Sequence, residues 1–347
     1  MRKRIHEKYI QRTFELANHG LGTTSPNPLV GAVIVHEGKI IGEGFHHHSG
    51  SPHAEIVALE NVENKSLLKE STLYVNLEPC AHHGLTPPCT TAILKAGITK
   101  VVVSNKDPNP KVKESESILN AAGVFVTYGI LEKEGDHLNR RFFKRLRENR
   151  PWVILKWAQT TDGFMDVDRS KSEPGVAWIT DERTKILTHQ WRAEEDAILI
   201  GVNSVINDDP QLTAREFEGK QPLRIIIDSQ LRCPSNRKVF DNSAKTVVVN
   251  TIREDLEVNN PLWMVDKDEP IAPQVLARLG ELEVNSLIIE GGRTTLQHFI
   301  DNGLWDEARI LTGANPIDGH DRAPQIKGSL WESFEYGPDQ IEIFGKR

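Results

Sequence analysis

The stretch His53-Ala54-Glu55, followed after a strand-like run by Glu78-Pro79-Cys80-Ala81-His82-His83-Gly84-Leu85-Thr86-Pro87-Pro88-Cys89, decides how the first half of the chain is read. One imidazole and two thiols can hold a zinc ion and leave a fourth position for water, the arrangement of a catalytic zinc site. Zinc lowers the pKa of a bound water towards ~7. Glu55 lies two residues from His53, and positions i and i+2 do not stack on one helical face. Its carboxylate therefore suits the water better than the metal, as a group that takes and returns protons. The alternative is a structural zinc with a fourth protein ligand from His46, His47, His48, His82 or His83. Such a site would have no need of Glu55.

The flanking residues place these groups. Ser51-Pro52 predicts an N-cap and a first-turn proline, and Thr86-Pro87 predicts the same. His53, Glu55 and Cys89 then fall in first turns, and Cys80 follows a strand over 72–77. The partial positive charge of a helix N-terminus favours the thiolate of Cys89. Upstream, Ile10, Phe14 and Ala17 mark a packed helix over 6–19. Residues 29–35 and 39–45 read as a hairpin around His36-Glu37-Gly38. Downstream come strands at 101–104 and 125–128, a helix between them at about 113–122, and a charged helix over 132–149 that Pro151 stops. The domain boundary is expected there, giving domains 1–149 and 150–347.

The second half alternates strands (152–157, 197–201, 224–228, 246–250, 286–290) with helices. The helix at 181–193 puts Leu187 and Trp191 on one face. The helix after Gly291-Gly292 does the same with Leu296, Phe299 and Ile300. This pattern predicts a second α/β domain around a mostly parallel sheet. Gly291-Gly292 at a strand end lets backbone N–H groups approach a phosphate. Arg192 and Arg215 suit a phosphate, because guanidinium binds it through paired hydrogen bonds. Trp178, taken alone, reads as core.

Bulk properties agree. A chain of 347 residues holds two domains, and 38% hydrophobic with 26% charged residues is an ordinary globular composition. The net charge of −7 gives no general attraction to nucleic acid or to an anionic membrane. Met1-Arg2-Lys3-Arg4 leads into an amphipathic helix, not a signal peptide, and no stretch approaches a membrane span. Three cysteines make no disulfide scaffold. Two belong to the metal reading and Cys233 reads as a small packed side chain. A reducing, cytoplasmic setting is expected.

His-x-Glu…Pro-Cys…Cys has the form of the zinc deaminase signature. Other zinc deaminases usually end it in Cys-x-x-Cys, whereas here eight residues separate the cysteines. With that spacing the chain resembles one family, the bifunctional deaminase–reductases of riboflavin biosynthesis. Pro26-Asn27-Pro28-Leu29-Val30-Gly31 and Asp107-Pro108-Asn109-Pro110 also match. So do Leu155-Lys156-Trp157-Ala158-Gln159-Thr160-Thr161-Asp162-Gly163, Trp178-Ile179-Thr180, Asp208-Asp209-Pro210-Gln211-Leu212-Thr213-Ala214-Arg215 and Ile227-Asp228-Ser229. The similarity fades after about residue 315.

The resemblance implies an α/β chain with an N-terminal cytidine-deaminase-like three-layer αβα domain and a C-terminal dihydrofolate-reductase-like domain. It implies deamination of a diaminopyrimidine carrying a phosphoribosylamino group, then NADPH-dependent reduction of the ring-opened ribosyl to ribityl. Zn2+ would be held by His53, Cys80 and Cys89, with Glu55 moving protons and Asn27 and His46 touching the substrate. NADPH contacts map onto Ala158, Trp178, Ser204, Asp208, Ser229 and the Gly291-Gly292-Arg293-Thr294 turn. Reductase substrate contacts map onto Val176, Arg192, Leu212, Arg215 and Glu290. The expected partner is a small molecule rather than nucleic acid or membrane, in a homo-oligomer.

The sequence departs from the family pattern at several places. Phe164 replaces a basic residue, Val176 replaces a serine, and Lys113-Glu114-Ser115-Glu116-Ser117 replaces a Gly-x-Gly pair. The run at 315–322 also differs. Two other functions remain open at this stage. One is a deaminase whose reductase-like half no longer turns over. The other is a nucleic-acid-editing deaminase, which would need a basic, aromatic-bearing surface.

Overall fold

The computed structural model describes residues 2–83, 87–112, 114–173 and 175–346. The chain divides into two compact units, Met1–Glu148 and Asn149–Arg347. No helix among the described residues is long and apolar enough to cross a membrane.

The first unit is a five-stranded sheet between two layers of helices. Its strands are β1 (Gly31–His36), β2 (Lys39–Phe45), β3 (Thr72–Leu77), β4 (Lys100–Asn105) and β5 (Phe125–Thr127). They lie in the order β2-β1-β3-β4-β5. The hairpin pair β1/β2 and the pair β1/β3 are antiparallel, while β3, β4 and β5 are parallel. Successive strand side chains point to opposite faces, and the core splits accordingly. Ala32, Ile34, Leu73, Val75, Val101 and Val103 pack against Ala54 and Ala58 of α2 (Ala54–Glu60), Ile93 of α3 (Cys89–Ala96) and Leu119 of α4 (Ser115–Ala121). Val33, Val35, Tyr74 and Val102 pack against Tyr9, Ile10 and Phe14 of α1 (Arg2–Asn18).

The charged helix expected over 132–149 is two helices, α5 (Glu132–Leu138) and α6 (Arg140–Glu148). Asn139 divides them. Its backbone still bonds to Gly135 O and Phe143 N, while its side chain pairs with the Leu29 backbone: Oδ1 accepts from Leu29 N at 2.8 Å and Nδ2 donates to Leu29 O at 2.9 Å. That bond pair holds the loop carrying Asn27.

The second unit is built on β6 (Trp152–Thr160), β7 (Phe164–Val167), β8 (Ala197–Gly201), β9 (Leu223–Ile227), β10 (Thr246–Asn250), β11 (Leu262–Met264), β12 (Ser286–Ile289), β13 (Glu307–Gly313), β14 (Gly319–Arg322), β15 (Gly328–Tyr336) and β16 (Asp339–Lys346). Nine of these form one sheet, β11-β10-β9-β8-β12-β6-β13-β16-β15, and β14 pairs separately with β7. The strands from β11 to β13 run parallel; β16 and β15 add an antiparallel edge. Leu287, Ile289, Val153 and Leu155 face α9 (Ile271–Glu281) and α10 (Arg293–Asp301). Ile288, Ile154, Ile198 and Ile226 face α7 (Glu182–Glu194) and α8 (Val202–Asp208). The chain leaves β6, skips a place to β8, runs out to β11, and returns to put β12 between β8 and β6. The carboxyl ends of β6, β12, β8 and β9 thus meet where the strand order reverses, the usual ligand crevice of open parallel sheets.

Candidate active sites

In the first unit, three loops converge on one cluster. His53 Nδ1 lies 3.2 Å from Cys89 Sγ and 3.5 Å from Cys80 Sγ. The three ligand atoms all fall within 4.8 Å of one another, and among the described residues this is the one group of such donors close enough to share a metal ion. The five other histidines considered as fourth ligands are not in it. Two soft thiolates and one imidazole, with Cys89 buried and His53 and Cys80 half-buried, are a donor set that fits zinc.

The helix starts differ from expectation in register. α2 begins at Ala54, with His53 in the N-cap position and its carbonyl accepting from Ile56 and Val57. Ser51 is not the cap, because its hydroxyl is taken by the carbonyl of His48 at 2.7 Å. α3 begins at Cys89, with Pro88 before it; Thr86, expected to cap it, lies outside the described residues. The helix-terminus effect expected for Cys89 falls instead on Cys80. The Cys89 amide donates to Cys80 Sγ at 3.3 Å, and the next amide, Thr90 N, donates to Cys80 O at 3.2 Å. Helix N–H groups point back along the axis into the preceding loop, which is where Cys80 sits.

Charge is distributed unevenly. The hydrogen bond from Cys89, with help from His53, holds the Cys80 thiol well below its ordinary range. Its bond to Cys80 and its burial push Cys89 the other way. The bond to Cys80 raises His53. Glu55 is 3% exposed, and burial lifts its carboxyl above the usual range. A carboxyl so placed takes up a proton more readily than a free one and can pass it on within the site.

Asn27 and His46 are brought to the same place. The Pro52 carbonyl can only accept, so His46 Nδ1 carries the proton towards it at 3.2 Å. His46 Nε2 then accepts from Asn27 Nδ2 at 3.1 Å. Burial lowers the His46 pKa, which keeps the ring neutral and this relay intact. The His46 ring meets that of His53 edge-on at 5.6 Å.

A second acidic group was not singled out in the sequence. Glu78 accepts from Tyr128 Oη at 3.0 Å and from Asp107 N at 3.2 Å. Burial raises Asp107 to about 6. The departure at 113–117 opens α4, and Glu116 there pairs with Lys106 at 2.7 Å; Lys113 lies outside the described residues.

In the second unit, the mapped residues gather at the carboxyl ends of the central strands. Gly292 N, at the start of α10, donates to Ser204 Oγ of α8 at 3.2 Å. A Cβ on Gly291 would stand 2.7 Å from Thr295 Cβ, and one on Gly201 2.6 Å from Thr295 Oγ1, so glycine alone permits this approach of strand ends to helix. Arg293 and Thr294 are exposed at the head of α10. Ser229 and Ala158 are half-buried at strand ends on either side. The crevice, lined by glycine backbone and N–H groups, fits a dinucleotide phosphate. Asp208 is bound by Arg169 at 2.9 Å, and burial raises it to about 6. Trp178 is not core: it is 56% exposed, and Val176 is 45% exposed. The neighbouring Ile179 turns inward, its carbonyl accepting from Asn315 N, whereas Trp178 turns outward beside Lys185 of α7, whose Nζ lies 5.7 Å from the ring centroid.

Arg192 and Glu290 meet across 98 residues of sequence. Arg192 Nε and Nη2 donate to the two carboxylate oxygens at 2.9 and 2.7 Å, and Nη1 donates to Thr213 O at 3.2 Å. With its fork so occupied, Arg192 is poorly disposed to clamp a phosphate, whereas the Arg215 side chain is exposed, with Glu216 at 3.7 Å and His189 close enough to feel its charge. Lys156 of β6, not among the expected site residues, completes the cluster at 3.7 Å from Glu290. Burial alone would raise Glu290, but Arg192 and Lys156 hold it down at about 2. Burial lowers Lys156. The Leu212 side chain is 3% exposed in the core, so only its backbone, in a left-handed conformation (φ 56°), is available to a ligand.

The comparisons with known proteins agree with this geometry. The family described as "RibD C-terminal domain" matches residues 151–317, and the "Cytidine and deoxycytidylate deaminase zinc-binding region" matches residues 3–105. Riboflavin biosynthesis protein RibD of Aquifex aeolicus is 42% identical over 350 residues, covering 99% of this chain and 93% of its own. The Escherichia coli (strain K12) RibD is 36% identical, over 93% and 89% of the two chains. Among solved structures, Acinetobacter baumannii RibD is similar at a TM-score of 0.89 with 32% identity, over 99% of both chains. The Thermotoga maritima diaminohydroxyphosphoribosylaminopyrimidine deaminase/5-amino-6-(5-phosphoribosylamino)uracil reductase is similar at 0.88 with 32% identity over 100% of both. The donor set for zinc, the glycine-lined crevice for NADPH and similarity along the whole length agree: the chain belongs to the RibD family of bifunctional deaminase–reductases of riboflavin biosynthesis.

Proposed function

We propose that this chain deaminates 2,5-diamino-6-(5-phosphoribosylamino)pyrimidin-4-one to 5-amino-6-(5-phosphoribosylamino)uracil, then reduces the ribosyl to the ribityl side chain with NADPH. The observation that carries the reading is the meeting of His53, Cys80 and Cys89 beside the buried carboxyl of Glu55. A zinc ion held there supplies the Lewis acidity that makes water a nucleophile near neutral pH. Glu55 takes the proton released and delivers it to the departing amine, so the site needs no outside acid. The Pro52–His46–Asn27 relay fixes the Asn27 amide, leaving its oxygen to orient the pyrimidine.

In the second unit, NADPH supplies the hydride. Glu290, ionised under all ordinary conditions, keeps Lys156 and Arg192 in place. Lys156, with its pKa lowered by burial, gives up a proton more readily than a free lysine. We place it as the proton source for the reduced ribose chain, and Arg215 as the anchor of the substrate phosphate. We assign the deaminase to residues 1–149 and the reductase to 150–347. Three free thiols fit a reducing cytoplasm. The exposed Leu330 and Trp331 on β15, the last strand of its sheet, favour a homo-oligomer.

The order of the two steps is tested by withholding NADPH from the zinc-loaded protein and its diaminopyrimidine substrate. The deaminated, unreduced ring should accumulate and then disappear when NADPH is added. Reduction of the ribose before any ammonia appears would contradict the reading.

A further inference from the structure

The crevice has a direction, and the direction identifies a residue for which the family pattern gave no role. The argument rests on the reductase reading above. Along the sheet the strands run β9-β8-β12-β6. The Lys156–Glu290–Arg192 cluster lies at β6 and β12. The nicotinamide must reach the atom it reduces, so that end of the cofactor belongs there. The phosphate-sized approach at Gly291 and Gly292 lies one step on, against Ser204 after β8. The adenosine end is then left with the mouth of β9, where Ser229 stands. Three inter-strand steps of about 4.8 Å put β9 roughly 14 Å from β6, enough for an extended dinucleotide.

NADPH differs from NADH by one phosphate on the adenosine ribose. A site that prefers NADPH needs a cation at that end. Arg232 is three residues beyond Ser229 and exposed, and its Nη2 reaches across from the β9 loop to Asn203 Oδ1 at 3.0 Å. Asn203 adjoins Ser204, so the guanidinium spans the gap between the two serines mapped to NADPH. That bond fixes the fork and leaves the rest of its donors facing solvent. The other cations nearby are less suited. Lys238 pairs with Asp209 at 3.4 Å, Arg237 buries its Nε, and Arg253 stands a strand further out, after β10.

We propose that Arg232 binds the 2′-phosphate of NADPH and makes the reductase selective for NADPH over NADH, with Asn203 as the residue that positions it. Charge-assisted hydrogen bonds of this kind, lost with the charge, correspond to roughly a 10- to 100-fold change in discrimination.

The test is Arg232→Gln in the full-length, zinc-loaded protein, given the deaminated substrate and either NADPH or NADH. The ratio of kcat/KM for NADPH over NADH should fall roughly 10- to 100-fold, chiefly through KM for NADPH. Arg232→Lys should retain part of the preference, and Asn203→Ala should lower it less than Arg232→Gln does. Tryptophan fluorescence, with all seven tryptophans in the second unit, reports that this unit is folded in each variant. A wild-type preference for NADPH that survives Arg232→Gln, or a wild type that prefers NADH, would overturn the proposal. A wild type that oxidises neither cofactor, while still releasing ammonia, would overturn the reductase reading and this proposal with it.

Discussion

Glu290→Gln removes one charge from the buried cluster of the second unit while keeping the shape of the side chain. Glu290 accepts both arms of the Arg192 fork and faces Lys156. Its carboxyl falls from an ordinary 4.5 to about 2 on folding, which corresponds to about 3 kcal/mol of stabilisation. Burial works against Lys156, so the gain comes mainly through Arg192. Breaking one partner of a buried pair generally costs about 3–5 kcal/mol, in agreement. The sign with pH follows from the depressed carboxyl: the stabilisation is fully present above about pH 4.5 and is lost as pH falls towards 2. All seven tryptophans lie in the second unit, so tryptophan fluorescence during urea unfolding reports on that unit alone. At pH 7 the variant's midpoint should drop by about 1.5 M urea, taking a slope of about 2 kcal/mol per molar. The gap from wild type should narrow as pH falls below 4. NADPH oxidation should be lost and ammonia release kept. A midpoint within about 0.25 M of wild type at pH 7, a stability change under about 0.5 kcal/mol, would refute the assignment of the cluster as a strong buried pair.

Glu55→Gln should lower ammonia release about 10²- to 10⁴-fold while the protein still binds zinc, measured by metal analysis beside turnover; loss of the metal would mean that Glu55 is a ligand. Gly291→Ala should raise KM for NADPH and leave the deaminase step alone, because the new methyl meets Thr295 where α10 approaches the strand ends. Asn139→Ala should destabilise the first unit by about 1–2 kcal/mol, since the buried Leu29 N–H loses its partner while the Leu29 carbonyl keeps Asn76 Nδ2. Differential scanning calorimetry of the full chain would show that change in the first unit's transition.

The metal cluster was legible because its geometry is local. A His before a helix, a Cys after a strand and a Cys opening a helix need only the ends of their own elements to be brought close, and the eight-residue spacing names the family version. The alternating strands 72–77, 197–201 and 246–250 were equally plain, because each is buried on both faces. Other features depend on tertiary contacts. The Arg192–Glu290 bond joins residues 98 apart, so Arg192 reads as a free phosphate ligand until its fork is seen to be occupied. Lys156 looked like one strand residue among many. The break at Asn139 was hidden by good helix formers on both sides, and only Leu29 reveals why it is there. The outer strand β15, exposed at residues 329–333, lacks the apolar alternation that marks a half-buried strand. Trp178, taken alone, reads as core, but it is exposed beside Lys185 while its neighbour Ile179 takes the buried place.

The central claim is that one chain performs both reactions in sequence. It is tested most directly by giving the zinc-loaded protein the diaminopyrimidine phosphoribosylamine with NADPH and recording ammonia and NADPH in one sample. Ammonia release followed, mole for mole, by NADPH oxidation is the expected result. Ammonia without NADPH loss would contradict the reductase assignment and direct attention to Phe164 and Val176, while no ammonia from a metal-loaded sample would contradict the role given to Glu55 and the substrate.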